Sequence, residues 1–262
     1  MAELDNQVAV ITGAASGIDL EIGRVFYREG ARLLLVDCNE EALKRAEAEF
    51  RDAVRVHSYV ADVTKSGLVD AFIEEAVRTF GKLDILVNGA GIVGRSMIVE
   101  LADEQWHAQL GVMLHGVLYG VRAAARQMIK QKTGGKIISL SSAASAVPLG
   151  GGVGYCTAKA AVNMVTKVAA VELGKHKIRV NAIAPGETMT PLIEHMLAFP
   201  LWKQAVIEET PLRRMGQTTD VAQMALFLAS DRSDWITGQV MFVDGGQGMR
   251  GVDYEEKLKS LQ

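Results

Sequence analysis

Q-V-A-V-I-T-G-A-A-S-G-I-D, residues 7–19, is the stretch of this sequence that decides its fold. Residues 7–12 are β-branched and nearly all apolar, which is typical of a strand buried on both faces of a parallel sheet. A glycine-rich turn at 13–17 and apolar residues at helical spacing follow, and a second apolar run, 32–36, ends at Asp37. Strand, glycine-rich turn, helix, strand and acid in this order predict a dinucleotide-binding unit.

Three features of this unit suit a dinucleotide. Gly13 and Gly17 allow the backbone to approach a pyrophosphate, and the helix N-terminus that follows offers unpaired N–H groups and a partial positive charge to that anion. Asp37 can accept hydrogen bonds from both ribose hydroxyls of an adenosine, and its charge would repel a 2′-phosphate. The sequence therefore favours NAD(H) over NADP(H). The alternative is that Asp37 only caps the following helix.

The composition excludes several other classes of protein. The net charge of -3 and a sequence pI of about 6.0 do not suggest a nucleic-acid partner. The apolar runs are shorter than the ~20 residues that span a bilayer, so we expect no membrane segment. The two cysteines, Cys38 and Cys156, cannot make a disulfide framework, and a cytoplasmic location is expected. The five histidines are scattered, and no metal site is expected.

The alternation of strand-like and helix-like segments continues to the end of the chain. No proline- or serine-rich linker, low-complexity tract or internal repeat interrupts it. The pattern predicts one α/β layered domain over residues 1–262, with right-handed crossovers. The further strands are predicted at 54–60, 83–87, 136–140, 178–183 and 239–243, and one long helix at 103–130.

A second motif lies at residues 142–159. Tyr155 and Lys159 are four residues apart and share one face of a predicted helix. A nearby ammonium lowers the pKa of a tyrosine from its ordinary ~10, and such a phenol can exchange a proton with an alcohol or carbonyl oxygen. Ser142 can hold the same oxygen. The alternatives are a half-buried Tyr155 beside a solvated Lys159, and a Ser142 that only stabilises a turn.

The chain resembles the short-chain dehydrogenase/reductase family over almost its whole length. The resemblance implies a doubly wound, Rossmann-type parallel sheet of about seven strands, with helices on both faces. It also implies a bound nicotinamide dinucleotide and reversible hydride transfer to or from the carbon of a secondary alcohol or ketone. The matching pieces are T-G-A-A-S-G-I at 12–18, A-D-V at 61–63, N-G-A-G at 88–91, Ser142, Y-C-T-A-K at 155–159, A-P-G at 184–186, Thr190 and V-D-G-G at 243–246.

The resemblance assigns roles to particular residues. Tyr155 is the acid/base, Lys159 lowers its pKa and holds the nicotinamide ribose, and Ser142 orients the substrate oxygen. In the family, cations that bind a 2′-phosphate stand where this chain has Ser16 and Cys38, which again implies NAD(H). The implied cofactor contacts are Gly13, Ser16, Gly17, Ile18, Asp37, Asp62, Val63, Asn88, Ala90, Gly91, Tyr155, Lys159, Pro185, Gly186, Thr188 and Thr190.

Three positions depart from the family pattern. Asp19 replaces the third glycine of the turn, and its charge is tolerable next to a phosphate if it points to solvent. Met113 stands where an asparagine usually supports a water chain, so it is either a core residue or a changed relay. Gly89 replaces a second asparagine. These departures keep open a binding or scaffold protein with this fold. A serine hydrolase built on Ser142 and Lys159 is disfavoured, since no G-x-S-x-G elbow is present.

The substrate and the assembly are predicted from the apolar segments. The family's substrate lid corresponds to 187–215, which is rich in apolar residues, including Phe199, Leu201 and Trp202. Val93 and the Val147-Pro148-Leu149 stretch would form the opposite wall. We expect an apolar alcohol or ketone, such as a cyclic or steroid-like one, rather than a sugar or a phosphate ester. The alternative is that the lid packs against the core or a neighbouring subunit. The resemblance also implies a homotetramer that packs through the helices near 103–130 and 154–174.

Overall fold

A seven-stranded, fully parallel sheet forms the centre of the computed structural model, which describes residues 2–52 and 54–249. The remaining residues, including 250–262 of the predicted domain, lie outside the described ones. The number of strands and their parallel direction are as the resemblance implies, and the strands pair in the order β3-β2-β1-β4-β5-β6-β7. They are β1 (Val8–Thr12), β2 (Arg32–Asp37), β3 (Val56–Val60), β4 (Ile85–Asn88), β5 (Gly135–Leu140), β6 (Ile178–Pro185) and β7 (Val240–Val243).

The α-helices lie on both faces of the sheet, which confirms the doubly wound architecture. They are α1 (Gly17–Arg28), α2 (Glu40–Glu47), α3 (Ser66–Phe80), α4 (Asp103–Leu110), α5 (Gly116–Gln131), α6 (Val153–Leu173), α7 (Glu194–Leu197), α8 (Pro200–Glu209) and α9 (Thr218–Ala229). Among the described residues, none of these helices is both long and apolar enough to cross a membrane.

The apolar run of β1 is explained by burial on both sides. Val8 and Val10 point into the layer formed with α3, α5 and α6, whereas Ala9 and Ile11 point into the layer formed with α1, α2 and α9. All four side chains are fully buried. A strand in this position cannot alternate apolar and polar residues, because neither of its faces meets water.

The long helix predicted at 103–130 is not one regular helix. Residues 111–115 form a π-helical segment between α4 and α5. Met113 lies in this segment and is fully buried. The interpretation of Met113 as a core residue is therefore confirmed, and the π-helical turn is the feature that the apolar periodicity does not reveal.

The strand order reverses between β1 and β4, and this determines where a ligand can bind. Strands β2 and β3 extend from one side of β1, and β4 to β7 extend from the other. The loops that follow β1 and β4 therefore leave the sheet in opposite directions and open a crevice at the carboxyl ends of the strands. The glycine-rich turn and N-G-A-G are these two loops.

We predict that Gly120→Ala destabilises the protein while Gly67→Ala does not. A Cβ at position 120 would overlap Oδ1 of buried Asn88 and would lie only 3.1 Å from Cγ of Asn88. Forcing such a contact typically costs about 1–3 kcal/mol. A Cβ at Gly67, in the first turn of α3, meets nothing within 4 Å and removes a flexible residue from a helix. Urea unfolding of the two variants measures the difference. Equal midpoints would contradict this account of the Asn88 packing.

Candidate active site

A cleft of about 990 Å³ opens at the carboxyl ends of the strands. It brings together the predicted site residues with one exception, Asn88. Those that line it are Gly13, Ser16, Gly17, Ile18, Asp37, Asp62, Val63, Ala90, Gly91, Ser142, Tyr155, Lys159, Pro185, Gly186, Thr188 and Thr190.

Asn88 does not line the cleft and instead contacts the neighbouring strand of the sheet. Its side chain is buried and donates to the hydroxyl of Ser139 on β5 at 3.3 Å. It also packs against Gly120 of α5. The residue ends β4, and its side chain points between the sheet and a helix. Its described role is therefore to hold β4 and β5 together.

The glycine-rich turn is shaped by two glycines with left-handed backbone. Gly13 has φ 75° and Gly17 has φ 62°. A Cβ on Gly13 would lie 2.9 Å from the backbone nitrogen of Ala90, so only glycine allows the two loops to come this close. Ser16, at the N-cap of α1, makes no side-chain capping hydrogen bond. The N–H groups of the first helical turn are therefore available to an anion, which fits a pyrophosphate.

Asp37 organises the same end of the cleft. Its Oδ2 accepts from the backbone N–H of Ala15 at 3.2 Å and its Oδ1 from that of Asn39 at 2.9 Å. The capping residue of α2 is Asn39, whose side chain accepts from Ala42 N–H, so the alternative that Asp37 caps this helix is wrong. An ionised carboxylate accepts about four hydrogen bonds, which leaves capacity for ribose hydroxyls.

Ser142, Tyr155 and Lys159 form one cluster on the floor of the cleft. The side chain of Ser142 lies near the phenol of Tyr155 and lowers its pKa through hydrogen bonding. The Nζ of Lys159 lies 5.8 Å from the centroid of the Tyr155 ring and donates to the carbonyl oxygen of Leu140 at 2.7 Å. Lys159 is only 5% exposed, so the alternative of a solvated lysine is wrong. Ser142 also accepts from Ala144 N–H, so it stabilises a turn as well.

The electrostatics of the cluster differ from the expectation in one respect. Burial lowers the pKa of Lys159 to about 8, and the negative charge of Asp19 opposes this shift. Burial also raises the pKa of Tyr155, although the hydrogen bond from Ser142 acts the other way. We expected Lys159 to lower the pKa of Tyr155, but the pKa of Tyr155 is raised, and Lys159 is not among the groups that shift it. The ammonium is directed at the carbonyl of Leu140, and desolvation of the phenol is the largest effect.

Asp19 does not point to solvent. Its side chain is 8% exposed and lines the cleft beside the glycine-rich turn. Water therefore does not screen the charge that an ionised Asp19 would place next to a phosphate.

Glu187 is a cleft residue that the sequence reasoning missed. It follows Pro185-Gly186 directly and lines the cleft near Tyr155, whose pKa its negative charge raises. Burial raises the pKa of Glu187 itself, and the positive charge of Arg95, also in the cleft wall, opposes this. The available signal in the sequence was an acidic residue directly after the A-P-G motif at 184–186.

The lid segment contributes only part of its apolar residues to the cleft. Phe199 and Leu201 are 65% and 82% exposed and are not among the residues that line it. Phe199 is the N-cap of α8 and Leu201 lies in its first turn, so these two lid residues do not add to the apolar lining of the cleft. The lid residues that do line the cleft include Leu192, Ile193, Met196, Trp202 and Val206, and those of the opposite wall include Val93, Val147 and Leu149.

The doubly wound sheet, the glycine-rich turn and the Tyr155–Lys159 pair in one cleft define an oxidoreductase that uses a nicotinamide dinucleotide. A family model described as enoyl-(acyl carrier protein) reductase matches residues 13–247. The chain belongs to the short-chain dehydrogenase/reductase family.

Two curated relatives and one solved structure illustrate the range of the family. The 3-oxoacyl-acyl-carrier-protein reductase FabG of Thermotoga maritima is 37% identical over 93% of this chain and 98% of its own. The 2,5-dichloro-2,5-cyclohexadiene-1,4-diol dehydrogenase LinX of Sphingobium indicum is 36% identical over 93% and 96%. A gluconate 5-dehydrogenase from Burkholderia cenocepacia, solved with NADP and tartrate, has 35% identity and a TM-score of 0.89 over 94% and 96%.

We predict that Glu187→Gln shifts the pH dependence of catalysis. A carboxylate near Tyr155 disfavours the phenolate, so its removal lowers the pKa of Tyr155. Alcohol oxidation, which needs the phenolate, should reach half its maximal kcat/KM at a pH lower by about half to one unit. The measurement is kcat/KM against pH. The control is Glu74→Gln, which removes the same charge from the exposed face of α3. Identical profiles for both variants would show that Glu187 does not act on Tyr155.

Proposed function

We propose that this protein transfers hydride reversibly between NAD(H) and a secondary alcohol or ketone that is apolar or cyclic. The observation that carries the proposal is the buried cluster of Ser142, Tyr155 and Lys159 in the same cleft as the glycine-rich turn. In this proposal Tyr155 is the acid/base, Ser142 positions the substrate oxygen, and Lys159 holds the nicotinamide ribose.

The proton chemistry follows from the cluster. The nicotinamide supplies or accepts the hydride. Tyr155 gives its proton to the carbonyl oxygen during reduction and takes it back during oxidation, while the Ser142 hydroxyl donates a hydrogen bond to that oxygen. The raised pKa of Tyr155 keeps the phenol protonated at neutral pH, which suits reduction. Lys159, with a pKa of about 8, remains mostly charged at neutral pH.

The preference for NAD(H) rests on the charges of the cleft. Among the described residues that line it, the cations are Arg95 and Lys159. Lys159 lies beside Tyr155 and Arg95 acts on Glu187, so neither is next to Asp37. A 2′-phosphate near Asp37 would meet a carboxylate and no cation among the described residues of the cleft lining. The gluconate 5-dehydrogenase was solved with NADP, so family membership alone does not decide between the cofactors.

We predict that kcat/KM is at least about tenfold higher with NADH than with NADPH, because one unfavourable charge contact is worth ~1–3 kcal/mol. Asp37→Asn should reduce this ratio, since it removes the charge and keeps the shape. Asp70→Asn, on α3 and outside the cleft lining, is the matched control and should leave the ratio unchanged. A clear preference of the unaltered protein for NADPH would overturn the cofactor assignment.

The apolar character of the substrate rests on the side chains of the lid and of the opposite wall. Trp202 and Val206 of α8 face the cleft, as do Val93 and Val147 from the other side. Burial of an apolar substrate between them would be favourable. The name of the LinX relative, a dehydrogenase of a cyclic diol, supports a cyclic substrate.

We predict that Trp202→Ala raises KM at least about fivefold more for bulky cyclic ketones than for small ones, because the lost apolar contact scales with buried area. Leu201→Ala is the matched control, since this neighbour is 82% exposed and does not line the cleft. Steady-state kinetics with a size series of ketones provide the comparison. Equal effects of Trp202→Ala on all substrates would argue against a lid role.

The proposal extends to assembly and organisation. We propose one domain over residues 1–262 with a substrate lid at 187–215, in a cytoplasmic homotetramer. Exposed apolar side chains on α5 and α6 support a subunit contact, and they include Leu118, Met164, Val168 and Val171, which is 85% exposed.

A second candidate function is supported by Asp19. A binding or scaffold protein that keeps the fold but has lost the cofactor would explain a buried acid beside the glycine-rich turn. Titration with NADH, followed by nicotinamide fluorescence, separates the two candidates. Binding supports the oxidoreductase, and no binding at any pH supports the scaffold.

A further inference from the structure

We propose that Asp19 and Gly89 form a coupled pair, in which the carboxyl group of Asp19 fills the place of a side chain at position 89 and acts as a positioning residue that faces the cofactor. This inference rests on the proposed use of the cleft by NAD(H). It assigns a role to two of the departures from the family pattern, and it explains them together.

The pairing follows from the space that each residue needs. A Cβ built on Gly89 would lie 2.5 Å from Oδ2 of Asp19, and it would overlap both Cγ and Oδ1. All three carboxyl atoms therefore occupy the volume in which a side chain at position 89 would begin. Asp19 in this orientation and a larger residue at position 89 exclude one another, so the Asp19 side chain must rotate away or the backbone must move to admit one.

The environment of the carboxyl group indicates what it does there. Oδ1 of Asp19 is buried without a hydrogen-bond partner among the described residues, although the residue lines the cleft. The charged groups that act on it are Lys159 from α6, which favours ionisation, and Asp37 from β2, which opposes it. A buried carboxyl oxygen without a partner is costly, so this group is suited to meet a ligand.

Protonation decides which ligand it can meet. Burial is the largest influence on Asp19 and raises its pKa well above the ordinary value. In the protonated form, the carboxyl group has an O–H donor for an anionic oxygen, such as those of a pyrophosphate, whereas the ionised form repels that anion. The protonated form of Asp19 is therefore the one that accepts the dinucleotide, and affinity should fall as pH rises through its pKa.

A double-mutant cycle tests the pairing without any cofactor. Urea unfolding is measured for the unaltered protein, Asp19→Gly, Gly89→Asn and the variant with both changes. We expect Gly89→Asn alone to lower the midpoint, because it collides with Asp19, and the double variant to unfold at a higher urea concentration than Gly89→Asn. A double variant whose midpoint is lowered by the sum of the two single changes would overturn the pairing.

Titration with NADH from pH 6 to 9 tests the role of the carboxyl group. We expect the Kd of the unaltered protein to rise with pH, by at most tenfold per unit for a single ionisation. The shape-matched Asp19→Asn variant should keep only the dependence that Lys159 contributes. Asp70→Asn, the control, should retain the full dependence. Identical profiles for Asp19→Asn and the unaltered protein would overturn this role and leave the proposed function standing. The absence of NADH binding by every variant at every pH would instead overturn the proposed function.

Discussion

The hydroxyl of Thr12 is the contact on which the arrangement of the cleft depends. It accepts from the backbone N–H groups of Gly89 and Ala90 at 3.1 and 3.3 Å, and it donates to the carbonyl of Val87 at 3.4 Å. It thereby joins the ends of β1 and β4 at the point where the strand order reverses. The two loops diverge from this buried bridge, and the glycine-rich turn lies against the N-G-A-G loop at backbone contact distance. The Thr12 hydroxyl therefore fixes the relative position of the two loops and of the cleft residues that they carry.

The cleft combines two electrostatic environments. Its glycine-rich end holds the acids Asp19, Asp37 and Asp62, and its floor holds one buried cation, Lys159. Desolvation disfavours the ionised form of both kinds of group, so it raises the pKa of a carboxyl group and lowers the pKa of an ammonium group. Asp19 and Lys159 each moderate the effect of burial on the other. The protonation state of Lys159, beside Tyr155, is therefore coupled to that of Asp19, beside the glycine-rich turn.

The sequence was sufficient for the sheet and for most of the cleft, because both depend on local patterns. The buried strand β1, the left-handed Gly13 and Gly17 and the i, i+4 spacing of Tyr155 and Lys159 are all encoded within a few neighbouring residues. The π-helical turn at 111–115 was not predictable, since its residues keep an ordinary helical composition. The outward side of Leu201, the sheet role of Asn88 and the raised pKa of Tyr155 also depend on tertiary packing. The contact between Asp19 and Gly89 joins helix α1 to a loop that is distant in the chain.

The π-helical turn also sets the rotational phase of the helix that follows it. It contains one residue more per turn than an α-helix, so a regular helix through the same residues would rotate α5 by ~100° relative to α4. Gly116 and Gly120, which lie against Val63 and Asn88, would then leave the sheet, and larger side chains would take their places. The extra residue therefore lets α4 keep its own orientation while α5 turns its two glycines towards Val63 and Asn88. The length of the segment 111–115 therefore determines which face of α5 meets the sheet.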